Sequence, residues 1–336
     1  MTAQSAFKVL ITDYGWPTLE PEQAVLEPIG AELVAADSPD EARLTELAAD
    51  CDAIMTNWAQ VPVAAVRASP KLKIIARYGV GVDNIPVDVA SEQGIPVTNV
   101  PDYCVEEVAN HAMALLLGLA RGLFKLDHGT RTSSWSFAAA QPLWRLSAQR
   151  LGILGYGRNG RALAQRARGF GFDIVVHDPF IEASQFPAHE LPNLVGLEEL
   201  LRSSDLVSVH TPLTDVTHHM LGAEQFQMMK STAYVVNTGR GPVIDEAALV
   251  EALKAGQLAG AGLDVYETEP LPADHPLLDL PNVILTSHAA FYSEGSLAEL
   301  QRRTAENVAL VLQGQIPNNV MNPEVLKQTG LKPQAS

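Results

Sequence analysis

Arg240, Asp264, Glu269 and His288 each stand at or just beyond a short apolar run. Arg240 follows Tyr234 to Gly239. Asp264 ends Ala261 to Leu263, and Glu269 lies in the turn after it. His288 follows Val283 to Ser287. In open parallel sheets, ligands bind beyond the carboxyl ends of the strands, so these residues would share one edge. An arginine offers a planar, permanent charge to a carboxylate. A histidine exchanges a proton near neutral pH. A neighbouring glutamate orients the imidazole and stabilises its charged form. Reduction of a 2-oxo acid needs these groups: a cation for the carboxylate, a proton donor for the developing alkoxide, and a hydride. Singly, each residue has a plainer reading. His288 could be a satisfied structural histidine, Arg240 a cap ion pair and Glu269 a solvated loop acid. Their combination and order favour the chemistry.

A source of hydride is written further upstream. Gly155-Tyr156-Gly157-Arg158-Asn159-Gly160 fits G-x-G-x-x-G. It follows the apolar run Leu151 to Leu154 and precedes an amphipathic pattern from Arg161 to Gly169. Glycines at a strand-to-helix turn let the backbone approach a pyrophosphate, and the helix start presents free N–H groups to it. Asp178 lies 178 − 160 = 18 residues past the last glycine. An acid near that spacing accepts ribose hydroxyls and repels a 2′-phosphate, which favours NAD over NADP. A second pair, Gly79-Val80-Gly81, lacks a third glycine, because Asn84 stands at that place. It is either a structural turn or a tight loop whose backbone amides face a small carboxylate. With Arg77 and Arg240 they would form a positive well for an anionic substrate. Trp58, Tyr78 and Phe291 or Tyr292 are candidates for an apolar wall. His210 ends a strand and could line the cofactor pocket. His218 and His219 are adjacent, with no Cys or His at metal spacing, so no zinc or other metal is expected.

Two βα series must position these residues. The first has strands near 7–12, 53–56, 72–76 and 96–99, with helices at 40–49, after Pro62 and at 87–92. The second has six strands, near 151–154, 172–177, 206–210, 233–237, 261–265 and 283–286. Strands alternating with helices imply parallel sheets with right-handed crossovers. Between the series, Glu106 to about Arg131 reads as one long, largely apolar helix. Thr132 to Gln149, with Trp135, Phe137 and Trp144, reads as an irregular excursion. A last helical pattern runs from Ser293 to Gly314. The tail after Val325 lacks periodicity and is expected to be loose.

The composition bounds the alternatives. The 336 residues carry 23 Lys+Arg against 39 Asp+Glu, a net charge of −16, with 47% hydrophobic residues. Disorder needs lower hydrophobicity. A negative field disfavours nucleic acid and anionic membranes. Two cysteines are too few for a disulfide framework. The apolar run Ala112 to Ala120 is nine residues, against about 20 for a bilayer span. Met1 to Leu10 has one lysine and no apolar core, so no signal peptide is expected. A soluble, cytoplasmic protein is the expectation.

Residues 7 to 325 resemble the D-isomer-specific 2-hydroxyacid dehydrogenase family. The matching segments are Arg77 to Ile85, Leu151 to Gly160, Asn237 to Asp245, Leu263 to Pro270 and the stretch around His288. The resemblance implies an NAD-dependent enzyme with reversible hydride transfer to a small 2-oxo acid. In it, His288 exchanges the proton, Glu269 pairs with His288, and Arg240 holds the substrate with the amides of Val80 and Gly81. It also implies cofactor contacts at Gly155, Gly157, Arg158, Asn159, Gly160, Asp178, Thr211, Pro212, Thr217, Thr238, Gly239, Asp264 and Ala290. The implied fold is two doubly wound parallel-sheet α/β domains. A Rossmann-type NAD domain, residues 102–290, is inserted in a flavodoxin-like substrate domain, residues 1–101 and 291–336. A homodimer through the long helix and the excursion is also implied. Ser287 departs from the Thr-Pro-His common in the family, and Phe291 stands where the C-terminal-binding-protein corepressors carry Trp. The run is similar to that branch and its phosphoglycerate-dehydrogenase-like bacterial relatives. The alternative is therefore an NAD(H)-sensing binding protein with little catalysis. Glu269 argues against formate dehydrogenase activity, while the phosphite dehydrogenase triad is also similar. The loop Asn57 to Gln60 has no Lys or Arg, which favours an unphosphorylated substrate.

Overall fold

The structure is a computed structural model and describes residues 6–182, 184 and 192–334. The first residues of the segment tested for a signal peptide, 1–5, lie outside these. The chain divides into two compact units, Met1–Tyr103 with Ser293–Ser336, and Cys104–Tyr292.

The first unit contains β1 (Phe7–Ile11), α1 (Glu20–Leu26), β2 (Ala31–Ala35), α2 (Glu41–Ala48), β3 (Ala53–Thr56), α3 (Val63–Ala68), β4 (Ile74–Arg77), α4 (Val87–Glu92) and β5 (Val97–Thr98). Its sheet is parallel, in the order β2-β1-β3-β4-β5. This is the flavodoxin-like order. Leu10, Ile54 and Ile75 from the sheet close on Ala48, Val66 and Val89 from the helices, all buried. α1 and β2 were not expected from the sequence. Pro21, Pro28 and Gly30 break the local pattern, and β2 is an edge strand with only Ala31 buried.

The second unit contains α5 (Val105–Ala120), α6 (Leu123–Arg131), β6 (Arg150–Leu154), α7 (Arg158–Gly169), β7 (Asp173–His177), α8 (Leu197–Ser203), β8 (Leu206–Val209), α9 (Ala223–Met228), β9 (Tyr234–Asn237), α10 (Glu246–Lys254), β10 (Gly260–Leu263) and β11 (Val283–Leu285). The six strands are parallel, in the order β11-β10-β9-β8-β6-β7. Beyond β7, Leu194 forms a single parallel bridge to Val176. The Val176 amide donates to Asn193 O at 2.8 Å, and the Val195 amide to Val176 O at 2.9 Å. The third strand of a Rossmann order is thus reduced to one residue pair, with the switch point between β6 and β8. Leu116, Leu151, Leu163 and Ala167 fill one face of this sheet, and Leu200, Val207, Phe226 and Leu249 fill the other.

The expected single helix over Glu106 to Arg131 is two. The chain turns at Gly122, whose φ of 58° is left-handed, and a Cβ there would meet Ala140 Cβ at 2.8 Å. The tail, over its described residues 326–334, is also not loose. After α11 (Glu294–Leu312), α12 (Leu326–Thr329) forms, and Lys332 exchanges backbone hydrogen bonds with Gly314 and Ile316 at 2.9 and 2.8 Å. Among the described residues, no helix is long and apolar enough to cross a membrane.

The distant chain segments of the first unit meet at Glu22. It is fully buried, accepts the Tyr78 hydroxyl at 3.0 Å and accepts Gln301 Nε2 of α11 at 2.8 Å. Burial raises its carboxyl above the ordinary 4.5, against these hydrogen bonds. A raised acid favours folding while it is protonated, and loses that contribution as pH rises above its unfolded value. Glu22→Gln should therefore gain Tm over the parent at pH 8 by about 2 °C. The gain should shrink toward pH 5 in paired thermal melts. A Tm difference independent of pH would contradict this reading.

Candidate active site

The second unit assembles its polar residues along the carboxyl edge of the sheet, in strand order. His288 follows β11, Asp264 and Glu269 follow β10, and Thr238 to Arg240 follow β9. His210 and Thr211 follow β8, Gly155 to Gly160 follow β6, and Asp178 follows β7.

His288 and Glu269 touch. The imidazole Nδ1 lies 2.6 Å from Glu269 Oε2, and both side chains are about one-third exposed. Glu269 Oε1 accepts the Tyr266 amide at 3.0 Å. Burial pushes the Glu269 carboxyl up. The hydrogen bond and charge of His288, the Tyr266 amide and the Arg240 charge outweigh it and hold the group below its ordinary 4.5. Nδ1 is committed to Glu269, so Nε2 is the ring nitrogen left to exchange a proton. His288 has a left-handed backbone, φ 51°, which costs a non-glycine residue about 1–2 kcal/mol. Such outliers cluster where the surroundings over-determine a functional geometry. Phe291 meets the imidazole edge-on, with ring centroids 6.4 Å apart.

Asp264 is the brace of that loop. Its side chain is fully buried. Oδ1 accepts the Thr286 hydroxyl at 2.6 Å and the Ala289 amide at 2.9 Å, and Oδ2 accepts the Ala290 amide at 2.8 Å. Its carbonyl accepts the His288 amide at 2.7 Å. Asp264 and Ala290, both read as cofactor contacts, are thus bonded to each other. The Tyr266 hydroxyl donates to Thr286 O at 2.7 Å and ties the two loops together. Arg240 is half-buried and donates from Nη1 to Gly239 O at 2.9 Å. Asn237 fixes that turn, accepting the Gly239 amide at 3.0 Å and donating to Arg240 O at 2.9 Å.

The glycine loop has the shape its spacing predicts. Gly155 has φ 87°, and a Cβ there would lie 2.8 Å from the His210 carbonyl. A Cβ on Gly160 would overlap Gly155 O, so α7 packs directly on the turn. A Cβ on Gly157 would meet nothing within 4 Å. The α7 start has no side-chain cap, so its amides are open to an anion, and Arg158 and Asn159 are its first residues. His210 Nδ1, Thr211 Oγ1 and Thr238 Oγ1 are buried without hydrogen-bond partners among the described residues. Burial lowers the His210 imidazole to about 4, which keeps it neutral. Orphaned polar atoms beside an open glycine turn fit a dinucleotide. Asp178 accepts the Tyr156 amide at 2.8 Å and the Phe180 amide at 2.9 Å, which leaves lone pairs for ribose hydroxyls. The Thr217 hydroxyl closes its own loop by donating to Pro212 O at 2.6 Å.

In the first unit, Val80 is 40% exposed. The Val80 and Gly81 amides donate no hydrogen bond among the described residues. Arg77 is turned into its own loop, bonding Asn84 Oδ1 at 3.1 Å, Asn57 Oδ1 at 3.2 Å and the Tyr78 carbonyl. Its charge therefore braces the loop rather than standing open as a well. Tyr78 is buried and bonded to Glu22, so it does not belong to an exposed apolar wall. Trp58 is half-exposed, its amide held by Asp13 at 2.8 Å.

Two groupings escaped the sequence reading. His111, on α5, has Nε2 3.0 Å from Thr286 Oγ1. His219, Asp245 and Glu267 bring ligand atoms within 4.8 Å of one another. There, His219 already pairs with Glu267 at 2.9 Å, and Asp245 caps α10. Separations of 175 residues for His111 to Thr286 leave no local pattern to read.

A family model described as "D-isomer specific 2-hydroxyacid dehydrogenase, NAD binding domain" matches residues 113–290. A glyoxylate reductase from Korarchaeum cryptofilum is 44% identical over 294 residues, covering 86% of this chain and 88% of that protein. Among solved structures, an NADPH-dependent glyoxylate/hydroxypyruvate reductase from Sinorhizobium meliloti, in complex with NADP and malonate, superposes with TM-score 0.80. It is 31% identical and covers 99% of this chain and 100% of that one. A D-lactate dehydrogenase from Aquifex aeolicus, complexed with NAD and lactic acid, superposes with TM-score 0.81. It is 27% identical, over 96% and 98% of the two chains.

Proposed function

The chain belongs to the D-isomer-specific 2-hydroxyacid dehydrogenase family, oxidoreductases acting on CH–OH groups. From that premise we propose that it reversibly reduces a small, unphosphorylated 2-oxo acid of the glyoxylate class to the D-2-hydroxy acid, with NADH. The observation that carries this reading is the 2.6 Å contact of His288 Nδ1 with Glu269, on the same sheet edge as the open glycine turn.

When bound, the reduced dinucleotide would supply a hydride for the substrate's carbonyl carbon. Gly155, Gly157, Gly160, Arg158 and Asn159 would hold its pyrophosphate, and Asp178 its ribose. Thr211, Pro212, Thr217, Thr238, Gly239, Asp264 and Ala290 would border the rest. His288 Nε2–H donates its proton to the developing alkoxide. Glu269 keeps the imidazole aimed and stabilises its charged form. Arg240 polarises the carbonyl and pairs with the carboxylate. On the first unit, the Val80 and Gly81 amides are donors suited to a carboxylate, with Arg77 shaping their loop. The balance is 2-oxo acid, NADH and one proton in; 2-hydroxy acid and NAD⁺ out.

Asp178 supports NAD over NADP, since a carboxylate repels a 2′-phosphate. The exposed Trp135, Phe137 and Trp144 support a homodimer through the segment after α6.

The test is NADH oxidation with glyoxylate, hydroxypyruvate, pyruvate and 3-phosphohydroxypyruvate. Turnover is expected with the first compounds and not with the phosphorylated one. NADPH should be poorer by about tenfold or more, and Asp178→Ser should narrow that gap. Silence across the panel would sink the proposal. Equal use of both cofactors would remove its NAD preference.

A further inference from the structure

α5 lies close on the second sheet. A Cβ on Gly262 of β10 would meet Leu115 Cβ at 3.2 Å and Leu119 at 3.3 Å, and one on Gly118 would meet Ile284 of β11 at 3.2 Å. His111 is one helical turn before Leu115, on the same face. It therefore reaches the ends of β10 and β11, where the loops carrying Glu269 and His288 begin. Its Nε2 is 3.0 Å from Thr286 Oγ1 and 3.6 Å from Asp264 Oδ1.

The direction of these bonds can be assigned. Thr286 has one hydroxyl proton, and its oxygen is 2.6 Å from Asp264 Oδ1. A carboxylate only accepts. The proton therefore points to Asp264, and Thr286 Oγ1 is free to accept from His111 Nε2–H. Donation runs from His111 to Thr286 to Asp264. Asp264 in turn gathers the amides of His288, Ala289 and Ala290. Those amides hold His288 at its left-handed φ of 51°.

We infer that His111 is a positioning residue for His288, acting through Thr286 and Asp264 across the helix–sheet interface. It touches none of the groups assigned to substrate. Its kinetic consequence rests on the dehydrogenase reading, and its structural consequence does not.

The experiment compares His111→Leu, which removes the donor, with His111→Gln, whose amide nitrogen stands where Nε2 stood. Amide hydrogen exchange of the segment 286–292 is measured without substrate, and steady-state kinetics with NADH and the best 2-oxo acid. In His111→Leu, exchange should rise about tenfold and kcat should fall about tenfold, with KM for NADH within about twofold, because small misplacements of a reacting group cost rate. His111→Gln should recover both. Parent-like exchange in His111→Leu overturns the inference. So does faster exchange with an unchanged kcat, or a His111→Gln as impaired as His111→Leu, which marks a packing role only. A parent enzyme without turnover would retire the dehydrogenase reading, and the exchange measurement would then decide the His111 role by itself.

Discussion

His288→Asn is expected to lower kcat for 2-oxo-acid reduction by about 10²- to 10⁴-fold, the usual loss on deleting a general acid. The Kd for NADH, read by fluorescence titration, should stay within about twofold, because the glycine turn is untouched. Glu269→Gln gives the companion result. Its amide oxygen can still accept the Tyr266 N–H, so the loop is retained, but the charge facing His288 is gone. Reduction needs the charged imidazole and oxidation the neutral one. The variant should thus lose more in reduction than in oxidation. The parent's sign follows from Glu269 lying below its ordinary 4.5. A depressed acid contributes above its unfolded value, and the contribution is lost only as pH falls through the lowered one. Above 4.5 the Glu269 charge should therefore persist, and acid loss through it should appear only below that value. A His288→Asn enzyme that turns over normally would refute the assignment of the acid, whatever the pH profile shows.

The parts of this site that were legible in the sequence are those whose geometry is local. Gly155, Gly157 and Gly160 need only a strand before and a helix after them. Placing Arg240, Glu269 and His288 on one edge needs only the rule that parallel strands deliver their following residues to the same side. Which way a side chain points needed the folded chain. Arg77 looked like an open cation, yet Asn57 and Asn84, 20 and 7 residues away, draw it into its own loop. Tyr78 looked like a wall, yet Glu22, 56 residues earlier, turns it inward. The break between α5 and α6 sits at Gly122, where a Cβ would meet Ala140 Cβ at 2.8 Å, a close approach that only the folded chain displays. The strand reduced to Leu194 has too few residues for any periodicity. His111 sits on a helix face that reads as ordinary core, and only α5's close seat on Gly262 gives it Thr286 to bond.

Asp264 is where the two kinds of reading part, and Asp264→Asn separates them. As a cofactor contact, its loss would weaken NADH binding and leave stability nearly unchanged. As the brace seen in the structure, its loss strikes the loop instead. Oδ1 and Oδ2 together accept the Thr286 hydroxyl and the Ala289 and Ala290 amides, in a fully buried position. Asparagine keeps one acceptor oxygen and turns the other site into a donor facing a donor. A buried polar group left unpaired costs about 1–3 kcal/mol. At about 2–4 °C per kcal/mol for a domain of this size, calorimetry should record a Tm drop of several degrees. With one of the Ala289 and Ala290 amides released, only the main-chain bond to the Asp264 carbonyl still holds His288 at its left-handed φ, and kcat should fall by about 10²-fold, the scale of a misplaced reacting group. NADH affinity should change less than kcat, whereas Asp178→Asn should do the reverse. An Asp264→Asn protein with the parent's Tm and a much weakened Kd for NADH would return Asp264 to the cofactor and leave the His288 loop to be held by Tyr266 and Glu269.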